Sequence, residues 1–140
     1  GLLTPNGLRK PLYYLLEILE KLPADIVIHG PNYLGLQDAD NKYLLIFNPE
    51  KDENLTVDII ARNLSSEYKV TKYRMIASNS CLNFWAQLNF SSSLDIEDIE
   101  NINYMSKPDI EFELIPVMQQ YYTSTELAPY DIVLLKFTKY

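Results

Sequence analysis

Residues that could act as nucleophiles, bases or metal ligands are few in this sequence. His29 is the only histidine and Cys81 the only cysteine, so a Ser-His-Asp or Cys-His arrangement could be built only around His29. A metal site with several histidines is excluded. No nucleophile motif lies near His29, and nothing adjacent to Cys81 would activate its thiol. The sequence therefore predicts no catalytic residue, and we interpret both side chains as surface or packing residues.

Two acidic clusters contain enough carboxylates for other chemistry. Asp38 and Asp40 beside Asn41 superficially resemble a calcium loop, but the Gly and the closing Glu of an EF-hand are missing, so we interpret them as a hairpin turn. The acidic run 95–100 could supply an acid and a base, yet most of its side chains would point to water from a helix. The 4 glycines lack G-x-G or P-loop spacing, which gives no support for nucleotide binding. We predict no metal and no cofactor.

Aromatic side chains are a third candidate, because exposed flat rings beside polar groups can form a platform for sugars. The chain has 11 Tyr, 5 Phe and 1 Trp. We single out Trp85, Tyr121 and Tyr122 as the rings for contact with a sugar or a protein partner. The alternative is a packing role, since aromatic residues in a sheet protein are usually buried or half-buried.

The charge balance limits the partners. The 12 basic and 19 acidic residues give a net charge of -7, which repels phosphate backbones, so we expect no direct nucleic acid contact by this segment. Lys69, Lys72 and Arg74 form the one dense basic group, which we interpret as a solvated sheet edge that discourages strand addition. No apolar run approaches the ~20 residues that cross a bilayer. The lone cysteine favours a reducing compartment, which predicts a soluble, cytoplasmic protein.

The elements that would position these residues begin with one amphipathic helix. Proline suits the first turn of a helix and stops a helix that precedes it, which predicts a helix from about Pro11 to Leu22. We expect the sheet edge to cover its apolar face. The leucines of that face are Leu12, Leu15, Leu16, Leu19 and Leu22.

After this helix the hydrophobic period changes to two, which predicts strands. The expected strands are 25–28, 33–37, 42–48, 55–59, 68–76, 110–114 and 130–138. The continuous apolar run in 42–48 predicts a central strand, and isoleucines spaced by three predict a short acidic helix near 95–102. The fold class is therefore mostly β: one antiparallel β-sandwich with an N-terminal α-helix and a short acidic helix.

A resemblance to a known family covers nearly the whole chain. Its motifs are Gly7-Leu8-Arg9-Lys10-Pro11-Leu12-Tyr13-Tyr14 through Leu19, Tyr73-Arg74-Met75-Ile76, Trp85, the acidic segment 95–102, Ser106-Lys107-Pro108 and Leu127-Ala128-Pro129-Tyr130-Asp131-Ile132-Val133-Leu134-Leu135. In these the sequence resembles the β-xylosidase family 39 of retaining glycoside hydrolases, in which a β-sandwich follows the last barrel helix. The resemblance implies that residues 1–23 end an upstream barrel and that residues 24–140 form the sandwich. It also implies that both catalytic glutamates lie on the barrel, so none is carried over.

Departures from the family pattern favour a different parent protein. The xylosidases tend to have Arg-Ile-Asp and then His-Ser-Asn before the Trp, whereas Arg74-Met75-Ile76 and Asn79-Ser80 stand here. A similar module ends large bacterial AraC-type transcription regulators, and the resemblance favours these. We predict a non-catalytic C-terminal β-sandwich that supports structure, interaction or ligand sensing, with the upstream barrel as its partner. The alternative is the accessory β-sandwich of an active β-xylosidase in contact with sugar.

The start of the sequence is a separate indication. Because the sequence begins with Gly1-Leu2-Leu3 and without an initiator Met, we expect a piece of a longer protein.

Overall fold

The computed structural model describes all residues from Gly1 to Tyr140, and they form two compact units. One unit comprises Gly1–Lys21 and Met75–Pro108 and contains the helices. The other comprises Leu22–Arg74 and Asp109–Tyr140 and carries the β-structure. That residues 1–23 end an upstream barrel stays a prediction. None of the helices has the length and apolar character needed to cross a bilayer.

The β unit contains eight strands in two sheets. They are β1 Ile26–Gly30, β2 Tyr33–Gln37, β3 Asn41–Phe47, β4 Leu55–Leu64, β5 Tyr68–Met75, β6 Asp109–Ile115, β7 Met118–Leu127 and β8 Ile132–Lys139. One sheet has the order β1-β2-β3-β8-β5-β6, and β4 and β7 form the second. The predicted antiparallel β-sandwich is confirmed, and so is the central position of the apolar strand β3, which lies between β2 and β8.

Two details of the predicted sheet were wrong. Strand β7 was missed because its inner positions, Tyr121, Thr123 and Thr125, are polar or amphipathic, so no apolar alternation marks it. The basic group is not a sheet edge, because β5 lies between β8 and β6. Alternation along β5 places Lys69 on one face and Lys72 and Arg74 on the other.

The core of the β unit lies between the two sheets. Its buried members are Ile46, Ile59, Leu64, Tyr68, Val70, Ile115, Leu127, Val133, Leu135 and Phe137. They come from β3, β4, β5, β6, β7 and β8, so both sheets bury one face, as the period of two requires. At one edge of this core, β1 and β2 form a hairpin around Pro31-Asn32.

The acidic group after β2 forms the hairpin turn that the sequence predicted. The Asp38 carboxylate accepts hydrogen bonds from the backbone N–H of Asp40 at 2.9 Å and of Asn41 at 2.8 Å. The bond from Asp40 is the main cause that lowers the pKa of Asp38. This carboxylate therefore replaces backbone acceptors in the turn between β2 and β3.

The helical unit contains α1 Pro11–Leu19, α2 Cys81–Gln87 and α3 Ile96–Met105, with one 3-10 turn at Ala77–Asn79. The N-terminal helix is confirmed, with its end at Leu19 rather than Leu22. The short acidic helix is also confirmed, and Asp95 and Asp98 form a capping box at its start. Helix α2 was not predicted.

The apolar face of α1 is partly exposed, with Leu15, Leu19 and Leu22 half-buried, and its burial against the sheet edge stays a prediction. Leu12 is 49% exposed and Leu16 is 43% exposed. Within its unit, helix α1 is held by Tyr14, whose hydroxyl donates to the backbone oxygen of Asn103 in α3 at 2.8 Å. The buried centre of this unit is Leu8, Cys81 and Ile102, with Phe84, Trp85, Leu94 and Ile99 packed around it.

Candidate functional site

A cleft of about 300 Å³ lies in the β unit, where β5 and β6 of the large sheet face β7 of the small one. The small sheet has only two strands, so it cannot cover all six strands of the other sheet. The polar lining of the cleft comprises Lys72, Glu111, Glu113, Tyr121, Thr123 and Thr125. Its apolar floor comprises Ile59, Val70 and Leu135.

Strand register arranges these side chains in three rows. On the large sheet, β5 and β6 pair Val70 with Glu113, Lys72 with Glu111, and Arg74 with Asp109. Residues opposite each other in a ladder share a face. On β7, alternation places Tyr121, Thr123 and Thr125 together on the face toward the cleft.

The first row bridges the two sheets through a tyrosine. The Tyr121 hydroxyl donates to Glu113 Oε2 at 2.6 Å, and the Tyr121 ring packs edge-on against Phe137 in the core at 6.3 Å between centroids. Burial, followed by the hydrogen bond to Glu113, raises the pKa of Tyr121 to about 12. This bond therefore closes one end of the cleft.

The third row bridges the sheets through an arginine. Arg74 Nη1 donates to the backbone oxygen of Glu126 at 2.9 Å, and Arg74 Nη2 donates to Thr125 Oγ1 at 2.9 Å. A guanidinium can make both bonds at once because its donors form a fixed fork. The Arg74 side chain therefore closes the other end of the cleft.

The middle row has no such bridge. Neither Lys72 nor Glu111 makes a hydrogen bond across the cleft to β7. Burial, together with the nearby charge of Arg74, lowers the pKa of Lys72, and Glu111 partly opposes this shift. Two cations, Lys72 and Arg74, and three carboxylates, Asp109, Glu111 and Glu113, lie on this face of β5 and β6. The middle row of the cleft thus presents a donor, Lys72, beside an acceptor, Glu111.

Replacing Tyr121 with phenylalanine should show a pH-dependent loss of stability. The raised pKa means that the folded state favours the neutral phenol, so the stabilisation is fully present below pH 10 and is lost as pH rises toward 12. We expect Tyr121→Phe to lower the free energy of unfolding by about 1 kcal/mol at pH 9, with a smaller difference from the unsubstituted chain at higher pH. Urea unfolding at pH 9 and above pH 11 measures this. Tyr33→Phe on β2 is the control, and a Tyr121→Phe effect that does not change with pH contradicts the prediction.

The structure separates the three rings that the sequence singled out. Tyr122 follows Tyr121 and points to the opposite face of β7, where it is exposed and its hydroxyl donates to Asp58 Oδ1 at 2.9 Å. Trp85 is half-buried on α2 in the helical unit, where its Nε1 donates to the backbone oxygen of Ser91 at 2.8 Å. Its ring also packs edge-on against Phe90. Tyr121 and Tyr122 therefore do not form one platform, and contact of each ring with a sugar or a partner stays a prediction.

Of the two residues considered for nucleophilic chemistry, His29 lies exposed on β1. Cys81 is fully buried at the start of α2, and burial raises the pKa of its thiol. Sequence reasoning missed the cleft residues Lys72, Glu111 and Glu113. The only signal in the sequence was that basic residues alternate along β5 and acidic residues along β6. This alternation indicates a shared charged face only once the two strands are known to pair.

No protein-family model matches the sequence, and no curated protein matches it. Several solved structures share its fold. A monomeric β-xylosidase from Caulobacter crescentus CB15 superposes with a TM-score of 0.79 at 12% identity, over 99% of this chain and 32% of that one. The GH39 enzyme from Xanthomonas axonopodis pv. citri has a TM-score of 0.81 at 13% identity, over 100% of this chain and 32% of that one. A GH39 β-xylosidase structure from Caulobacter crescentus has a TM-score of 0.73 at 17% identity, over 99% of this chain and 30% of that one.

The chain thus spans about a third of the length of these structures. At such low identities the similarity establishes a shared fold. The resemblance to family 39 glycoside hydrolases that the sequence motifs indicated is therefore confirmed at the level of the fold.

Proposed function

We propose that this chain is the non-catalytic C-terminal β domain of a larger protein with a glycoside hydrolase-like module, and that this protein is a bacterial AraC-type transcription regulator. The observation that carries the assignment as a domain of a larger protein is the extent of the fold similarity, because nearly all of this chain corresponds to only about a third of each of these structures. The domain supports the structure of the module and its interactions or ligand sensing.

The distribution of carboxylates supports a non-catalytic role. Retaining glycosidases hold two carboxyl groups about 5 to 5.5 Å apart on either side of the scissile bond. The carboxylates that line the cleft, Glu111 and Glu113, follow each other on one face of a single strand, which spaces their backbones by roughly 7 Å. Glu113 is also engaged by the Tyr121 hydroxyl. Two carboxylates on one face of one strand approach a ligand from the same side, which does not favour the placement of an acid and a nucleophile on either side of a substrate bond.

Exposed apolar side chains support a larger parent protein as the partner. Leu12 and Leu16 are exposed on α1, and Phe112 and Leu114 are exposed on β6. Large apolar side chains exposed near one another on one element, as on α1 and on β6, suit burial by a partner. An upstream barrel of the same chain is the partner that the resemblance implies, and it would remove these side chains from water.

Departures from the family motifs support the regulator over an active glycosidase. The family tends to carry an Asp where the half-buried Ile76 stands, and its His-Ser-Asn motif is reduced to Asn79-Ser80. In such a regulator, the net charge of -7 would leave DNA contact to another part of the protein. The single, buried cysteine fits the reducing cytoplasm in which a regulator acts.

The isolated 140-residue chain is expected to hydrolyse an aryl β-xyloside no faster than buffer does. Release of the aryl group, followed by absorbance, measures this, with Glu111→Gln and Glu113→Gln as variants. Hydrolysis that either variant abolishes would overturn the non-catalytic role.

The identity of the parent is tested separately, on the parent's sequence. A helix-turn-helix region before the barrel, together with the loss of glutamate at the two catalytic strand ends, supports the regulator. Both glutamates without a helix-turn-helix support the second candidate, an accessory β domain of an active β-xylosidase. The names of the solved structures that share the fold favour this second candidate.

A further inference from the structure

We propose that the middle row of the cleft binds one neutral sugar ring, with Lys72 donating to its hydroxyl oxygens and Glu111 accepting from its hydroxyl groups. This site belongs to the β domain itself, so the proposal goes beyond the proposed function and does not depend on whether the parent is a regulator or a glycosidase.

The first step is that Lys72 and Glu111, unlike Glu113 and Arg74, have no hydrogen-bond partner on β7. The sheets are joined on one side by Tyr121 and Glu113 at 2.6 Å, and on the other by Arg74 with Thr125 at 2.9 Å. These bonds fix the width of the opening between them. The Lys72 ammonium lies in this opening, partly removed from water, and a polar group in that position is stabilised by any ligand that accepts from it.

The charge of the cleft selects the chemical class of the ligand. Because Lys72 and Arg74 alternate with Asp109, Glu111 and Glu113 on one face, an anion or a cation gains attraction from one set and repulsion from the other, and the third carboxylate further disfavours an anion. A hydroxyl group both donates and accepts, so a ligand with several hydroxyl groups satisfies Lys72 and Glu111 together. A neutral polyhydroxyl compound is therefore the class that fits.

The floor of the cleft distinguishes a sugar ring from an open polyol. Ile59, Val70 and Leu135 form an apolar surface beneath the polar rim, and the Tyr121 ring stands at one end. A pyranose ring has a C–H face that packs on such a surface while its rim carries the hydroxyls. The volume of about 300 Å³ is at the lower limit of small-molecule sites, which suits one ring.

The experiment uses the whole chain labelled with nitrogen-15 and follows amide chemical shifts. D-Xylose and D-glucose are the neutral sugar probes, glycerol is the open polyol, and sodium acetate and glycine are the charged probes. We expect both sugars to shift the amides of 111–113 and 123–125 saturably, with a Kd on the order of 1 to 10 mM for a small ligand in an open cleft.

Variants test whether the middle row carries the binding. Lys72→Met and Glu111→Gln should each weaken the affinity for D-xylose at least about tenfold, as the loss of one charge-assisted hydrogen bond predicts. Lys69→Met, on the opposite face of β5, and Glu100→Gln, on α3, are the matched controls and should bind as the unsubstituted chain does. The amide spectrum of each variant reports its folding, and Glu111→Gln remains informative where Lys72→Met does not fold.

Three results would overturn the proposal. The first is the lack of a saturable shift with either sugar up to about 100 mM, well above the expected range. The second is saturation by acetate, glycine or glycerol at lower concentration than by the sugars, which would make this a site for another class of ligand. The third is an equal loss of affinity in Lys72→Met and Lys69→Met.

Discussion

Replacing Asn48 with alanine is expected to lower the free energy of unfolding by about 3 kcal/mol. Asn48 follows β3 and is only 1% exposed. Its Nδ2 donates to the backbone oxygens of Glu53 at 2.7 Å and Leu127 at 3.0 Å. Its Oδ1 accepts from the backbone N–H of Glu50 at 3.0 Å. One amide thus satisfies three backbone groups, and its removal leaves the Leu127 oxygen buried without that donor.

Urea unfolding followed by far-UV circular dichroism measures the effect. Asn48→Asp keeps the size of the side chain but turns its donor into a charged acceptor that faces two carbonyl oxygens, so we expect it to be less stable at pH 7 than Asn48→Ala. Asn54→Ala is the control, because Asn54 is exposed and donates only to Glu126, and its effect should stay within about 0.5 kcal/mol. Asn48→Ala and Asn54→Ala effects of equal size would contradict the prediction.

The sequence allowed the fold class to be predicted where one residue pattern dominated. Apolar runs such as that of β3 and capped helices such as α3 are determined by local chemistry, so period and capping identified them. Asn48 was predicted as the last residue of the strand 42–48, and it directly follows the end of β3 at Phe47. The three hydrogen bonds of its side chain to backbone groups could not be predicted from the sequence, because the fold brings two of the partners, Glu53 and Leu127, to Asn48.

The cleft was beyond sequence reasoning for a related reason. Lys72 and Glu111 face each other only because β5 pairs with β6 in one register, and the helical segment 76–108 separates these strands in the chain. Thr123 belongs to β7, whose inner face is polar because it lines the cleft. The strand that departs most from the apolar alternation is therefore the one that completes the candidate site.

The helical unit carries the second large expected effect. Leu8→Ala should lower the stability of this unit by about 3 kcal/mol, because the leucine is fully buried and its truncation leaves a cavity. Leu8 packs with Cys81 and Ile102, and Trp85 lies against the same cluster. Since Trp85 is the only tryptophan, its fluorescence reports the helical unit alone.

Guanidinium unfolding followed by Trp85 fluorescence measures this effect, and we expect Leu8→Ala to move the midpoint to a lower denaturant concentration. Leu12→Ala is the matched control, with the same atoms removed from a position that is 49% exposed. It should change the stability by less than about 1 kcal/mol, because little apolar surface leaves a buried environment. Equal shifts for Leu8→Ala and Leu12→Ala would show that the leucine face of α1 is as important to this unit as its buried centre, and would contradict the packing described above.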